Sequence, residues 1–230
     1  MMSAFALCPV CRHLLGLATV RPGAVDLPRA KLPVMAAGRY EHELARCLLA
    51  FKNSGRTDLV KYLAPALVRS VLLVLGEVAA PGRQVALVPL PSTRAATRRR
   101  GFAPAPELTR YAVRQLRAMG YPVRCVEALA PTRSLPSSQI WGRGSSQKAL
   151  GQDARFSRMQ GQLKVGSPRG ALLGRAYDLT NLTCIVTDDV VTTGASMTEA
   201  HRVLQEAGAT VVAGAAIAYV PKRQQVRGEE

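Results

Sequence analysis

Two adjacent carboxylates, Asp188 and Asp189, stand between an apolar run and a turn of hydroxyls and glycine, Thr192-Thr193-Gly194-Ala195-Ser196. The run before them, Leu182 to Val186, reads as a short buried strand. After the turn, Met197, Ala200, Val203, Leu204 and Ala207 recur at helical spacing until Gly208 ends the pattern. Three chemistries therefore meet at one strand tip. Backbone N–H groups of Thr193, Gly194, Ala195 and Ser196, beside a helix N-terminus, form a cradle for a phosphate dianion. The hydroxyls of Thr192, Thr193 and Ser196 can add donors to the same phosphate. Asp188 and Asp189 can accept hydrogen bonds from a vicinal diol, such as the 2′ and 3′ hydroxyls of a ribose. A phosphate pocket beside a diol pocket describes a 5-phosphorylated ribose. No Lys follows the glycine, as a nucleoside-triphosphate loop requires, and the three-glycine spacing of a dinucleotide fingerprint is absent. Two neighbouring like charges at a strand tip repel, so replacing both acids by Asn is expected to keep or raise stability.

The stretch Val186 to Ser196 resembles the signature of type I phosphoribosyltransferases, an apolar strand, two acids, two apolar residues and a Thr-Gly turn closing on Thr or Ser. Further features resemble the ComF group of that family, in the order the group has them. They are Cys8-Pro9-Val10-Cys11, the segment Tyr40 to Lys52 running on to Gly55, Val88-Pro89-Leu90-Pro91 leading to Arg100-Gly101-Phe102, and Gln147 to Arg155. Two departures stand out. Ala103-Pro104 replaces the group's usual Asn-Gln, and no second Cys pair follows the first. The resemblance implies binding of 5-phosphoribosyl 1-pyrophosphate (PRPP) with Mg²⁺ held mainly by the substrate, and roles for Asp188 and Asp189 at the ribose. It also implies that the loop after the Val85–Val88 strand receives pyrophosphate, through Pro91, Ser92, Arg94, Arg99 and Arg100. Phosphoribosyl transfer leaves negative charge on the departing pyrophosphate, which arginines and Mg²⁺ would stabilise. Purine-salvage relatives carry an acid just before the Thr-Gly, and Thr192 stands there, so no general base is nominated and the acceptor is open. A regulator that binds PRPP without chemistry, or an accessory protein handling single-stranded DNA in natural transformation, remains an alternative.

Composition frames these readings. The 230 residues carry a formal charge of +16, and 25 of the 31 basic residues are Arg. Between Ala79 and Arg175 lie 15 Arg and 2 Lys against Glu107, Glu127 and Asp153, so the excess is concentrated in the middle. Such a surface attracts PRPP, pyrophosphate or nucleic acid. Aromatic residues make up only 5%, which gives little support to a stacking platform for single strands. The most apolar segment, Val71 to Val78, is interrupted by Gly76 and Glu77 and is too short for a membrane span. No secretion signal is read at the N-terminus. Five cysteines, an odd number, fit a reducing cytoplasm.

The elements that must position the tip alternate between helix and strand. Helices are expected over Tyr40–Lys52, with Leu44, Cys47, Leu48 and Phe51 on one face, over Asp58–Glu77 with Pro65 opening its longer part, over Glu107–Met119 and over Ser145–Met159. Strands are expected at Val85–Val88, Val123–Ala128, Gln162–Val165, Cys184–Thr187 and Thr210–Tyr219. This order predicts an α/β fold, a mostly parallel sheet flanked by helices and of phosphoribosyltransferase type, with ligands at the strand C-terminal ends. Residues 1–38 read as an irregular arm, 39–221 as the domain and 222–230 as a polar tail. Pro131–Ser146 reads as a mobile loop. Cys8 and Cys11 have the spacing of two thiolates sharing a metal. A structural zinc site needs four ligands, and between Cys11 and Cys47 only His13 and His42 are on offer, so stable zinc is not expected.

Overall fold

The computed structural model describes residues 7–27, 30–78, 84–132, 159–166 and 177–221. The architecture is α/β, a mainly parallel six-stranded mixed sheet with helices on both faces. Its strands are β1 (Gly23–Ala24), β2 (Val34–Arg39), β3 (Val85–Pro89), β4 (Val123–Cys125), β7 (Thr183–Val191) and β8 (Thr210–Tyr219), in the order β1-β2-β8-β7-β3-β4. Only β1 runs antiparallel to its neighbour. Two short strands, β5 (Leu129–Pro131) and β6 (Leu163–Val165), pair with each other in a separate antiparallel ribbon.

The helices are α1 (Pro9–Ala18), α2 (His42–Asn53), α3 (Val60–Val78), α4 (Arg94–Arg100), α5 (Pro104–Ala118) and α6 (Ala195–Glu206). Strands β3 and β7 are buried almost throughout, as a parallel sheet covered on both faces requires. Alternate residues serve the two faces. Leu87 and Ile185 join α2, α3 and α5 in one apolar cluster, while Val88, Cys184 and Val186 join α6 in the other. From β3 the chain moves outward through α5 to β4, and from β7 through α6 to β8 in the opposite direction. The C-terminal ends of β3 and β7 are therefore the switch point where an open α/β sheet forms its crevice.

The expected helix over Tyr40–Lys52 is α2, and its buried residues are Leu44, Cys47, Leu48 and Phe51. Other expectations are corrected. The N-terminal arm is not irregular, because α1 and β2 both lie in it and the boundary drawn at residue 38 falls inside β2. Cys8 caps α1, its Sγ accepting from the Cys11 N–H at 3.4 Å, and Pro9 occupies the first turn, where its missing N–H costs nothing. Pro33 immediately precedes β2, whose first four side chains are all buried. Pro65 lies inside α3 and does not open it, since α3 begins at Val60 after a 3₁₀ turn, Thr57–Leu59. The strand expected over Val123–Ala128 stops at Cys125, and β7 continues past Thr187 to Val191. Thr57–Glu77 is long and apolar enough to cross a membrane by composition, with a mean hydropathy of 1.7. That is more than the Val71–Val78 run conveyed, and in the fold α3 lies against β2, β8 and α5 as a core helix. The Ser145–Met159 helix, most of the Pro131–Ser146 loop and the tail lie outside the described residues.

Gly38 shows how closely α1 is joined to the sheet. A Cβ there would run into the Ala18 carbonyl at the end of α1 and touch Leu44 of α2. Backbone cannot give way as a flexible side chain can, so Gly38→Ala is expected to cost about 1–3 kcal/mol. Urea unfolding of the variant checks this, with the midpoint falling.

Candidate functional site

The two acids do not project from a loop. Both lie within β7, Asp188 opposite Ala216 of β8, and their residues are only 5% and 3% exposed. Pleating starts their side chains toward opposite faces of the sheet. Asp189 points to the α2 side, where Lys52 Nζ lies 2.7 Å from its Oδ2. Its other oxygen, Oδ1, accepts the Val190 N–H at 2.8 Å. Asp188 turns back along the strand, with Oδ1 accepting the Asp189 N–H at 2.8 Å. The carboxylates are thus not a bare pair. Lys52 is a site residue that the residue types at the strand tip could not reveal, and the signal for it was the Lys at the end of the amphipathic helix Tyr40–Lys52.

The charge state follows from this geometry. Burial raises the Asp188 carboxyl well above the usual carboxylate range, and the neighbouring Asp189 charge adds to it, against a smaller pull from Lys52. For Lys52, burial works against the ammonium, but the fields of Asp189 and Asp188 outweigh it and the net shift is upward. Asp188, Asp189 and Lys52 thus act as one electrostatic group, in which the Lys52 ammonium lies against Asp189 and Asp188 holds its proton more readily than a free carboxyl does.

Several braces hold β7 at this point. Thr109 of α5 donates to the Ala105 carbonyl at 2.7 Å, so its hydroxyl receives the proton of Thr187, 2.8 Å away and one residue before Asp188. Ser70 of α3 donates to the Ala216 carbonyl at 2.8 Å, across the sheet from Asp188. Phe102 stands edge-on to Phe51 at 5.1 Å. The Arg100-Gly101-Phe102 turn is thereby tied to the end of α2 that delivers Lys52.

Beyond Val191 the chain makes the expected turn. Gly194 takes φ +77°, the left-handed region that favours glycine, and α6 starts at Ala195. Gly194 offers no side chain as a cap, but Thr193 Oγ1 accepts the Ala195 N–H at 3.4 Å. Thr192 is exposed, and Thr193 and Ser196 are partly so. A Cβ on Gly194 would not enter the cradle, however. It would meet Leu27 Cδ1 at 3.1 Å and the Ala30 Cβ at 3.2 Å, so the turn backs onto the N-terminal segment.

The loop after β3 arrives alongside, with the Leu90 N–H donating to the Thr187 carbonyl at 2.9 Å. Leu90, Pro91 and Thr93 line a small pocket together with Ser196 of the cradle and Leu163 of β6. Glu199 of α6 accepts the Gly161 N–H at 2.7 Å and is forked by Arg202, which holds the β5–β6 ribbon over this pocket. Ser92 is partly buried, and Thr93 caps α4 by accepting the Ala96 N–H at 3.1 Å. The basic run is thus a helix, not an extended loop. Arg94 is its first residue, while Arg98, Arg99 and Arg100 fill its last turn, where cations suit the helix C-terminus. His201 is partly buried on α6, its pKa lowered by burial and then by Lys31. Among the described residues no three His, Cys, Asp or Glu side chains gather in a metal-binding group.

No model of a known protein family matches the chain, and no curated protein matches it.

The group of Asp188, Asp189 and Lys52 reverses the expectation that both acids are dispensable for stability. Asp189→Asn leaves the Lys52 ammonium, whose side chain is 19% exposed, without its partner and is expected to cost about 1–3 kcal/mol. Asp188→Asn mimics the protonated acid and should cost less than about 1 kcal/mol at neutral pH. The sign with pH follows from the raised Asp188 pKa. The native state keeps a proton that the unfolded chain sheds above about pH 4, so wild-type stability falls with rising pH across that window. Thermal midpoints of wild type and Asp188→Asn, measured between about pH 4 and pH 8, should diverge in favour of the variant.

Proposed function

We propose that this protein binds PRPP at the C-terminal ends of β3 and β7, as a phosphoribosyltransferase-like protein of the ComF group. One juxtaposition carries the reading. Two buried acids with Lys52 on one of them, a helix N-terminus behind a left-handed glycine and the loop after the neighbouring strand meet at the sheet's switch point. The 5-phosphate would take the N–H groups of Gly194, Ala195 and Ser196 with the hydroxyls of Thr192, Thr193 and Ser196. The ribose diol would donate to Asp189 and accept from Lys52. Pyrophosphate would lie toward Pro91, Ser92 and Arg94, with Arg99 and Arg100 on the same helix supplying positive field.

Mg²⁺ fits this arrangement as an ion carried by the substrate's phosphate oxygens and water, since the one close carboxylate pair already holds Lys52. When bound it would neutralise charge developing on the pyrophosphate. The chain's own part is to orient the ribose and to hold Asp189 in place beside it through Lys52 and the Val190 N–H. Release of pyrophosphate would break the C1–O bond through an oxocarbenium-like state, and the acceptor would attack C1. Thr192 offers no carboxylate for an acceptor's proton, which supports either an acceptor that needs no base from this position or a protein that recognises PRPP without turning it over.

Calorimetric titration with PRPP and Mg²⁺ tests the site. Saturable binding is expected, weakened in Asp189→Asn and Lys52→Met by about 2–4 kcal/mol, the scale of lost charge-assisted hydrogen bonds. Folded wild-type protein that does not bind PRPP would end this reading. A search for released pyrophosphate with a panel of bases then separates transfer from recognition.

A further inference from the structure

A second concavity, of about 530 Å³, lies between α1 and the first half of α3, and it shares no lining residue with the strand tips. Its volume is in the range of small-molecule sites. Three cations from two helices line it, Arg12 of α1 and Lys61 and Arg69 of α3, over an apolar wall that includes Leu15 and Pro65. None of the three has a carboxylate partner among the described residues. Asp58, the acid whose field Lys61 meets, is already forked by Arg56 through two bonds of 2.9 Å.

The cations are also placed. Arg69 uses one edge of its guanidinium on Thr19, Nε donating to the carbonyl at 2.7 Å and Nη2 to the hydroxyl. That hydroxyl passes its own proton to the Leu15 carbonyl at 2.9 Å. The plane of Arg69 is thereby fixed, and its Nη1 has no partner among the described residues, so one end of the fork is open to a ligand. Burial lowers the Arg69 pKa, the mark of a cation partly stripped of water and lacking a counter-charge. Tyr62 gathers the other two, with the Arg12 guanidinium 5.6 Å and the Lys61 ammonium 5.2 Å from its ring centre.

We propose that this cleft binds a polyphosphate ester of nucleotide size, with its phosphates between Arg12, Lys61 and Arg69 and its organic part on the Leu15–Pro65 wall. Three converging cations, one a preoriented fork, match several adjacent phosphate oxygens better than a single carboxylate. The apolar wall and the volume exceed what inorganic phosphate would fill.

Titration with ATP at low salt tests the site, in wild type, in Arg12→Ala/Lys61→Ala and in Lys61→Glu. Arg12 and Lys61 are exposed, so both variants should keep wild-type circular dichroism and thermal midpoint. Saturable binding by wild type is expected, at least tenfold weaker in both variants and unchanged in Thr193→Ala, which alters only the strand-tip cradle. Absence of ATP binding by wild type, or wild-type affinity in the cleft variants, overturns the proposal. An equal loss in Thr193→Ala would assign the ATP to the cradle and overturn it too. A mixed-sequence single-stranded oligonucleotide that displaces ATP more tightly through the same residues would make the cleft a nucleic-acid surface and equally reject it.

Discussion

The contact between Lys52 and Asp189 constrains everything around it. An ion pair largely withdrawn from water, with the Lys52 side chain 19% and the Asp189 side chain 5% exposed, lasts only where both partners are held in place. Asp189 meets the condition with one oxygen on Lys52 and the other on the Val190 N–H. Lys52 meets it because α2 buries Leu44, Leu48 and Phe51 and so fixes the helix end from which the ammonium reaches the strand. Asp188 meets it differently, since burial raises its carboxyl well above the usual range and so favours the protonated form. The apolar packing of α2 and the protonation state of a strand residue more than a hundred positions away are two parts of one electrostatic balance.

The sheet supplies the rigidity this balance needs. Thr187 is tied to α5 and Ala216 to α3, so the backbone on either side of the acids is braced from the face that also delivers Lys52. The opposite face carries α6, whose Glu199 and Arg202 hold the β5–β6 ribbon beside the cradle. Each half of the crevice is therefore anchored by polar contacts that only a correctly registered sheet can make. A one-residue slip of β7 would reverse the faces of Thr187, Asp188 and Asp189 together.

Much of this was legible in the chain, for physical reasons that differ by element. The strand–turn–helix at Thr183 to Glu206 could be read because apolar period, glycine and helix spacing all agree locally. The α2 face could be read because Leu44, Cys47, Leu48 and Phe51 recur on one side. What could not be read was set by distant partners. Val34 to Ala37 is too short to declare itself a strand, and becomes one because β8 offers it a parallel ladder. Asp188 and Asp189 looked like a terminal pair because nothing local shows that β8 continues beside them to Tyr219. Lys52 was visible as a helix end, but its aim at Asp189 depends on how α2 crosses the sheet. The Cys-Pro-Val-Cys run combines a metal-like spacing with a helix start, and in the fold Cys8 caps α1.

The place of β8 in the sheet has a consequence for how the molecule comes into being. The last strand in sequence sits between β2 and β7, so the first long strand made has no parallel partner until nearly all of the chain has been synthesised. The Leu27 and Ala30 side chains that back the Gly194 turn are on the same early segment, waiting for a surface that is produced late. Contacts of such long sequence separation are slow to close and leave an apolar edge exposed meanwhile. During synthesis β2 is thus a waiting edge, and the Gly194 turn takes shape late, because the Leu27 and Ala30 side chains that back it lie on a segment made long before it.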